Sequence, residues 1–366
     1  MKQWLINARV FTGQQWLPQA HVGIIDDCIA TVQPGPLPPE AAPAPVFDCA
    51  GQALVPAFTD LQVYGAQGRL FSQYPDTDSL AALAHAQAQQ GTAHSLVTIA
   101  TQPLTVVHQC LRAVSSYLQQ GGSGIAGLHL EGPFIHPERR GAHRADWVRV
   151  PTPDDIRHLL DVAAGSLKMM TLAPECCSDE VLRLLRDAGV LLSAGHSNAS
   201  YQQAMQFASR GIQLVTHLYN AMSPLQHRQP GLALAALLHT GLHASIIPDG
   251  VHVHPAMLQL AHQVMGDRLF FITDAVTQCT EGPYQHYHSG THYTLPDGTL
   301  SGSAISMLQG VQLAMQQAGL SATDALRKAA TLPARWLGIQ AELAPGAPAQ
   351  LLLLSADWQL VRRFGF

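Results

Sequence analysis

Charge is scarce in this sequence. Only 12% of its 366 residues are Asp, Glu, Lys or Arg, the formal net charge is -5, and the basic residues are scattered along the chain. Without a basic stripe there is nothing to neutralise a phosphate backbone, which argues against nucleic acid as a partner. Long apolar runs are missing as well: no stretch approaches the roughly 18 uninterrupted apolar residues of a membrane span, so no membrane association is expected. Met1 to Phe11 carry one Lys and one Arg but no continuous apolar h-region, so a secretion signal is not expected either. Cysteine is thin on the ground. Cys28, Cys49, Cys110, Cys176, Cys177 and Cys279 include no CxxC pair and form no dense framework, which points to reduced thiols in a cytoplasmic protein.

What is there is apolar and ordered. A chain of this length with 47% hydrophobic residues can bury one large core, or one core and a satellite. The first segment alternates short apolar and polar runs up to a proline-rich stretch at 34–45. The last segment repeats that character after Pro345-Gly346, with Leu351 to Leu354 as a strand. Two β fragments at opposite ends can pair into one small β-sandwich domain, 1–52 with 340–366. Between them, over 53–339, apolar runs alternate with amphipathic helical stretches at 79–90, 106–120, 179–188, 200–209, 255–265, 304–318 and 322–330. Strands are expected to end near Gln62, Thr98, Glu131, Pro174, His196, His217, Asp249 and Asp274. Eight such units predict an α/β fold, a (β/α)8 TIM-like barrel whose active site lies at the carboxyl ends of its strands.

Histidine is in excess, 19 against 20 Lys and Arg together. Any one of them is more often a surface or core residue than a ligand, so position has to single out the functional few. The third strand stops on Glu131, where Gly132-Pro133 opens a turn; the fifth stops on His196 and the sixth on His217. Each alone has a bland explanation, a solvated carboxylate or a structural imidazole. Together they bring three donors towards one point. Two histidines and one carboxylate suit Zn2+, with the fourth position kept for water, and Fe(II) accepts the same set. The eighth strand delivers Asp274 to the same face, where a carboxylate can take a proton from the activated water and later return it to a leaving nitrogen. That pattern is a metal-assisted amide hydrolase.

These residues resemble the signature blocks of the N-acetylglucosamine-6-phosphate deacetylases of the amidohydrolase superfamily. The blocks are Gly127-Leu128-His129-Leu130-Glu131-Gly132-Pro133-Phe134, Ser193-Ala194-Gly195-His196-Ser197-Asn198-Ala199, Thr216-His217-Leu218-Tyr219-Asn220-Ala221-Met222 and Leu300-Ser301-Gly302-Ser303, with Asp249-Gly250-Val251-His252 and Thr273-Asp274-Ala275 in matching order. The resemblance implies hydrolysis of the N-acetyl group of N-acetylglucosamine 6-phosphate to glucosamine 6-phosphate and acetate, in amino-sugar catabolism. It implies that Glu131, His196 and His217 bind the metal and that Asp274 is general base, then acid. Substrate contacts are implied for Ala142, His143, Asn220, Ala221, Arg228, Asp249, Gly250, Val251, His252, Ile305, Ser306 and Met307. A homodimer is implied too, with Arg228 reaching across its interface. On chemistry alone, the Arg228 guanidinium and the His252 imidazole suit a phosphate dianion.

The chain departs from its kin in three places. Where many amidohydrolases carry His-x-His after the first strand, it reads Asp60-Leu61-Gln62, and Gln62 is a poor ligand. No lysine stands at the end of the fourth strand to bridge two metals. One divalent ion per subunit is therefore expected, zinc before Fe2+. The loop Val63-Tyr64-Gly65-Ala66-Gln67-Gly68 differs from the commoner Leu-Asn-Gly form. Two alternatives stand beside the main expectation: a deacetylase for the galactosamine epimer, and an inactive sugar-phosphate-binding barrel. Retention of Glu131, His196, His217 and Asp274 together speaks against the second.

Overall fold

The structure, a computed structural model, describes residues 2–39 and 44–366; of the proline-rich stretch, residues 40–43 lie outside the described residues. Eight parallel strands form one sheet in chain order: β1 (Phe58–Val63), β2 (Thr92–Ile99), β3 (Ile125–Glu131), β4 (Leu167–Leu172), β5 (Leu191–Ala194), β6 (Leu214–Val215), β7 (His243–Ile246) and β8 (Leu269–Phe271). The sheet closes just beyond its last strand. Asp274 N donates to Gln62 O at 3.0 Å and Tyr64 N to Ala275 O at 2.9 Å, while Val63 and Ala275 bridge in parallel. The barrel seam thus runs through the residues that follow β1 and β8.

Helices cover the outside, as parallel strands require. Thr77–Gln89, Leu104–Gln119, Asp179–Asp187, Pro255–Met265 and Ala322–Ala329 lie close to their expected positions. The Asp179–Asp187 helix is typical: Ser178 caps it by accepting from Val181 N, and Val181, Leu182 and Leu185 form its buried stripe. Three helices go unread in the sequence, Pro153–Ala163, Leu232–Leu238 and Thr331–Trp336, although the first carries a capping box at Thr152 and a buried stripe of Ile156, Leu159 and Ala163. In Leu232–Leu238 every residue is apolar, so no stripe exists to detect. Two expectations need correction. The stretch at 200–209 forms only the short helix Tyr201–Ala204 and a 3-10 turn, Ala208–Arg210. The helix expected from 304 starts at Met307, where Ser306 and Gln309 make a reciprocal capping box.

The main apolar cluster lies between strands and helices and includes Phe58, Phe71, Phe134 and Phe207, all almost fully buried; each such ring contributes about 1.5–3 kcal/mol of burial. A separate cluster of Leu61, Leu96, Met169, Leu214 and Phe270 fills the barrel interior, one residue from each of five strands. Above it lies a buried polar belt. His129 bonds Leu61 O at 3.0 Å and Thr171 Oγ1 at 2.7 Å, and Thr216 Oγ1 lies 2.6 Å from both Thr171 Oγ1 and Ser193 Oγ. Both chain ends meet in one seven-stranded sheet, in which Leu351–Leu354 pairs with Ala53–Pro56 and with Leu360–Phe364. That sheet has its own apolar cluster, built on Leu5, Val10, Val22, Leu54 and Leu353. No described helix is long and apolar enough to cross a membrane.

Candidate active site at the barrel mouth

Glu131 is the last residue of β3, but His196, His217 and Asp274 stand two or three residues beyond their strands. All three have positive φ, at 48°, 35° and 53°. Left-handed backbone costs a non-glycine residue about 1–2 kcal/mol. Here it turns the chain back at the moment it leaves the sheet, so that the side chains enter the barrel mouth. All four residues are buried.

Their polar atoms converge. His217 Nε2 and His196 Nε2 lie 3.0 and 3.3 Å from Glu131 Oε1, and 3.2 Å from each other. Gln62 Nε2 lies 3.0 Å from Glu131 Oε1, 2.6 Å from Asp274 Oδ1 and 2.9 Å from the Tyr64 hydroxyl. The Tyr64 hydroxyl donates to Glu131 Oε2, and His143 Nε2 lies 3.2 Å from that same oxygen.

Hydrogen bonds on the far side of the ring fix the tautomers of His196 and His143, whereas His217 Nδ1 is buried without a partner. His196 Nδ1 faces the Arg139 carbonyl at 2.8 Å, so it carries the proton and leaves the Nε2 lone pair turned to Glu131 and His217. His143 is the reverse: its Nδ1 accepts from Thr101 N at 3.2 Å, so Nε2 bears the proton and donates to Glu131. His143 therefore belongs to the cluster but is no ligand in this state, although its atoms lie close enough to Glu131 and His196 to be counted with them.

A divalent ion fits this donor set. Tetrahedral bonds of about 2.0–2.1 Å place neighbouring donors about 3.3 Å apart, close to the observed 3.0, 3.2 and 3.3 Å. A cation between the three would also neutralise a buried carboxylate that has no other positive partner at hand.

Burial shapes the titration of the site. Burial first, then the charge of Glu131, raises the Asp274 carboxyl well above the usual range. Burial also pushes Glu131 upward, but contacts with His143, His196 and His217 outweigh it and leave that group well below its ordinary value. Burial, aided by His196, lowers His143 to about 4.

The cavity above the cluster is lined by Ala142, His143, Asn220, Ala221 and His252 from the sequence expectation, together with Glu131, His196, His217 and Asp274. His252 is held by Asp249, whose Oδ2 lies 2.6 Å from its Nδ1 and whose Oδ1 accepts from Val251 N and His252 N. Asp249, Gly250 and Val251 thus shape the turn rather than line the cavity. Arg228 is exposed on a neighbouring groove beside Arg139 and Asn198, outside the cavity. Ile305 and Ser306 border a different depression, and Met307 is buried in its helix, so these three are not brought to the cluster.

The cavity also contains residues that no sequence argument picked out: Tyr64, Tyr284 and His286. Tyr284 donates to Thr101 O at 2.7 Å, and His286 Nδ1 lies 2.5 Å from Ser301 Oγ. Both belong to the excursion after β8, which folds into a three-stranded sheet of Tyr287–Ser289, His292–Thr294 and Leu300–Ser303. Its one sequence signal was the Leu300-Ser301-Gly302-Ser303 block.

A closed parallel barrel with imidazoles and carboxylates gathered at its carboxyl mouth is the architecture of a hydrolase class, and comparison with known proteins identifies which. The model of the Amidohydrolase family matches residues 53–363, and the chain belongs to that family. Within it, the chain is 35% identical to the N-acetylglucosamine-6-phosphate deacetylase of Bos taurus, over 84% of this chain and 80% of that protein. It is 31% identical to the N-acetylgalactosamine-6-phosphate deacetylase of Escherichia coli O157:H7, over 95% of this chain and 94% of that one. The crystal structure of N-acetylglucosamine-6-phosphate deacetylase from Pasteurella multocida superposes with a TM-score of 0.93 at 28% identity, covering 100% of this chain and 98% of that one.

Proposed function

We propose that this chain hydrolyses the N-acetyl group of N-acetylglucosamine 6-phosphate, giving glucosamine 6-phosphate and acetate. The observation that carries the reading is the convergence of Glu131, His196 and His217, with Asp274 beside them, in a fold shared with deacetylases of that name. Glu131 Oε1, His196 Nε2 and His217 Nε2 would hold one divalent ion, with zinc favoured by the donors. When bound, that ion supplies Lewis acidity towards water and the acetyl carbonyl.

The remaining work falls to side chains. Asp274 takes a proton from the attacking water and passes it to the departing nitrogen as the amide bond breaks. Gln62 orients that carboxylate through its 2.6 Å contact. Ala142, Asn220 and Ala221 border the sugar, and His252, steadied by Asp249, faces the phosphate. Exposed Arg228 completes phosphate recognition from a second copy of the chain, as a homodimer. The sheet of both chain ends forms a small domain, 1–52 with 340–366, around its own apolar cluster. Free cysteines suit a cytoplasmic setting.

Acetate release by purified, metal-loaded protein should be measured in parallel on N-acetylglucosamine 6-phosphate, its galactosamine epimer and unphosphorylated N-acetylglucosamine. The first should give the largest kcat/KM. A larger value for the epimer overturns the choice of sugar, and no acetate from any of them overturns the enzyme.

A further inference from the structure

We propose that Tyr64 is a positioning residue that makes Glu131 a single-oxygen ligand and so sets the affinity of the metal site. The inference rests on Glu131, His196 and His217 being the ligand set. Glu131 Oε2 receives two donors, the Tyr64 hydroxyl and His143 Nε2, while Oε1 is the oxygen that faces both other histidines. With its acceptor directions used, Oε2 cannot also reach the ion, and the carboxylate binds through Oε1 alone.

The phenol is held firmly enough to enforce this. Tyr64 N donates to Ala275 O across the barrel seam, and Tyr64 O accepts from Phe71 N, each at 2.9 Å. The next residue pairs with Leu70, and a Cβ on Gly65 would come within 2.1 Å of Arg69 O, so this tightly packed turn admits only glycine there. The hydroxyl also receives Gln62 Nε2 at 2.9 Å, which directs its own proton to Glu131.

The test uses full-length Tyr64→Phe, which removes one hydroxyl. The dissociation constant for Zn2+, measured by competition with a chromophoric chelator, should rise about ten- to a hundredfold. The melting temperature of the metal-free protein should stay near the wild-type value. The cobalt-substituted variant should show the weaker visible absorption of a higher coordination number, as the freed Oε2 joins the ion. Site-specific 4-aminophenylalanine at position 64 keeps ring size and an N–H donor, and should restore zinc affinity. Unchanged zinc affinity and cobalt spectrum in Tyr64→Phe overturn the role of Tyr64, as does failure of the amino variant to restore them. Wild-type protein that takes up no ion fails at the earlier step, the ligand set itself.

Discussion

Asp274→Asn isolates the proton-transfer step from everything else the site does. The change keeps side-chain shape, and the φ of 53° at this position is one that asparagine tolerates well. The new amide can turn its oxygen to Gln62 Nε2 and so retain the contact now made at 2.6 Å. What it cannot do is accept a proton from water. General-base catalysis of this kind is worth roughly 10²- to 10⁴-fold, which is about 3–5 kcal/mol on the barrier. Acetate release followed under saturating substrate should therefore fall at least about a hundredfold. Metal content by elemental analysis should remain at the wild-type level, because Glu131, His196 and His217 are untouched. Substrate affinity, measured calorimetrically on the inactive variant, should remain in the wild-type range. A variant keeping more than about a tenth of wild-type kcat would falsify the assignment, since a general base typically contributes about a hundredfold or more.

Replacing His196 or His217 with Ala removes one of three ligands, and metal content should fall together with activity; a full equivalent of tightly held ion in either variant refutes the ligand set. Arg228→Ala should raise KM for the phosphorylated substrate far more than it lowers kcat, and should leave the reaction with free N-acetylglucosamine almost unchanged; equal losses on both sugars count against a phosphate contact. Lys328 supplies a pH test away from the site. It is buried, its ammonium donates to Gly266 O at 2.6 Å and Leu269 O at 3.2 Å, and burial lowers it to about 8 from an ordinary 10.5. Between those values the unfolded chain binds more protons than the folded one, so this group makes stability rise with pH across that window, by roughly 3 kcal/mol at most. Subtracting the denaturation free energies of Lys328→Met from those of wild type should leave that upward slope, and a flat or falling difference contradicts the burial argument.

The barrel was legible because its strands are apolar runs that stop abruptly on polar residues. Glu131, His196, His217 and Asp274 are visible in the sequence for that reason, as side chains able to bind a metal or move a proton at or just past the ends of apolar runs. The left-handed backbone of the last three is not visible, since nothing in the letters announces that a histidine will take a conformation usually left to glycine. Tyr64 escaped for a different reason: a tyrosine after an apolar strand reads as core, and only the register of β1 against the segment after β8 brings its hydroxyl to Glu131. Tyr284 and His286 lie in an excursion whose short strands are partly or fully exposed and carry no strong alternation.

The seam that closes the barrel ties the order of assembly to the appearance of activity. The bond from Gln62 to Asp274 spans 212 residues of chain, and the neighbouring backbone bonds join the same two regions. Contacts so distant in sequence are closed most cheaply once the intervening strands have paired, so they are expected to form late. Glu131, His196 and His217 can gather as soon as β3 to β6 are side by side. Asp274 reaches them only with the final closure, so the proposed ligand set can assemble before the acid/base joins it, though without the full affinity that seam-held Tyr64 is proposed to give. During refolding, metal uptake should precede the recovery of turnover, and the lag between them is the time the cylinder takes to shut.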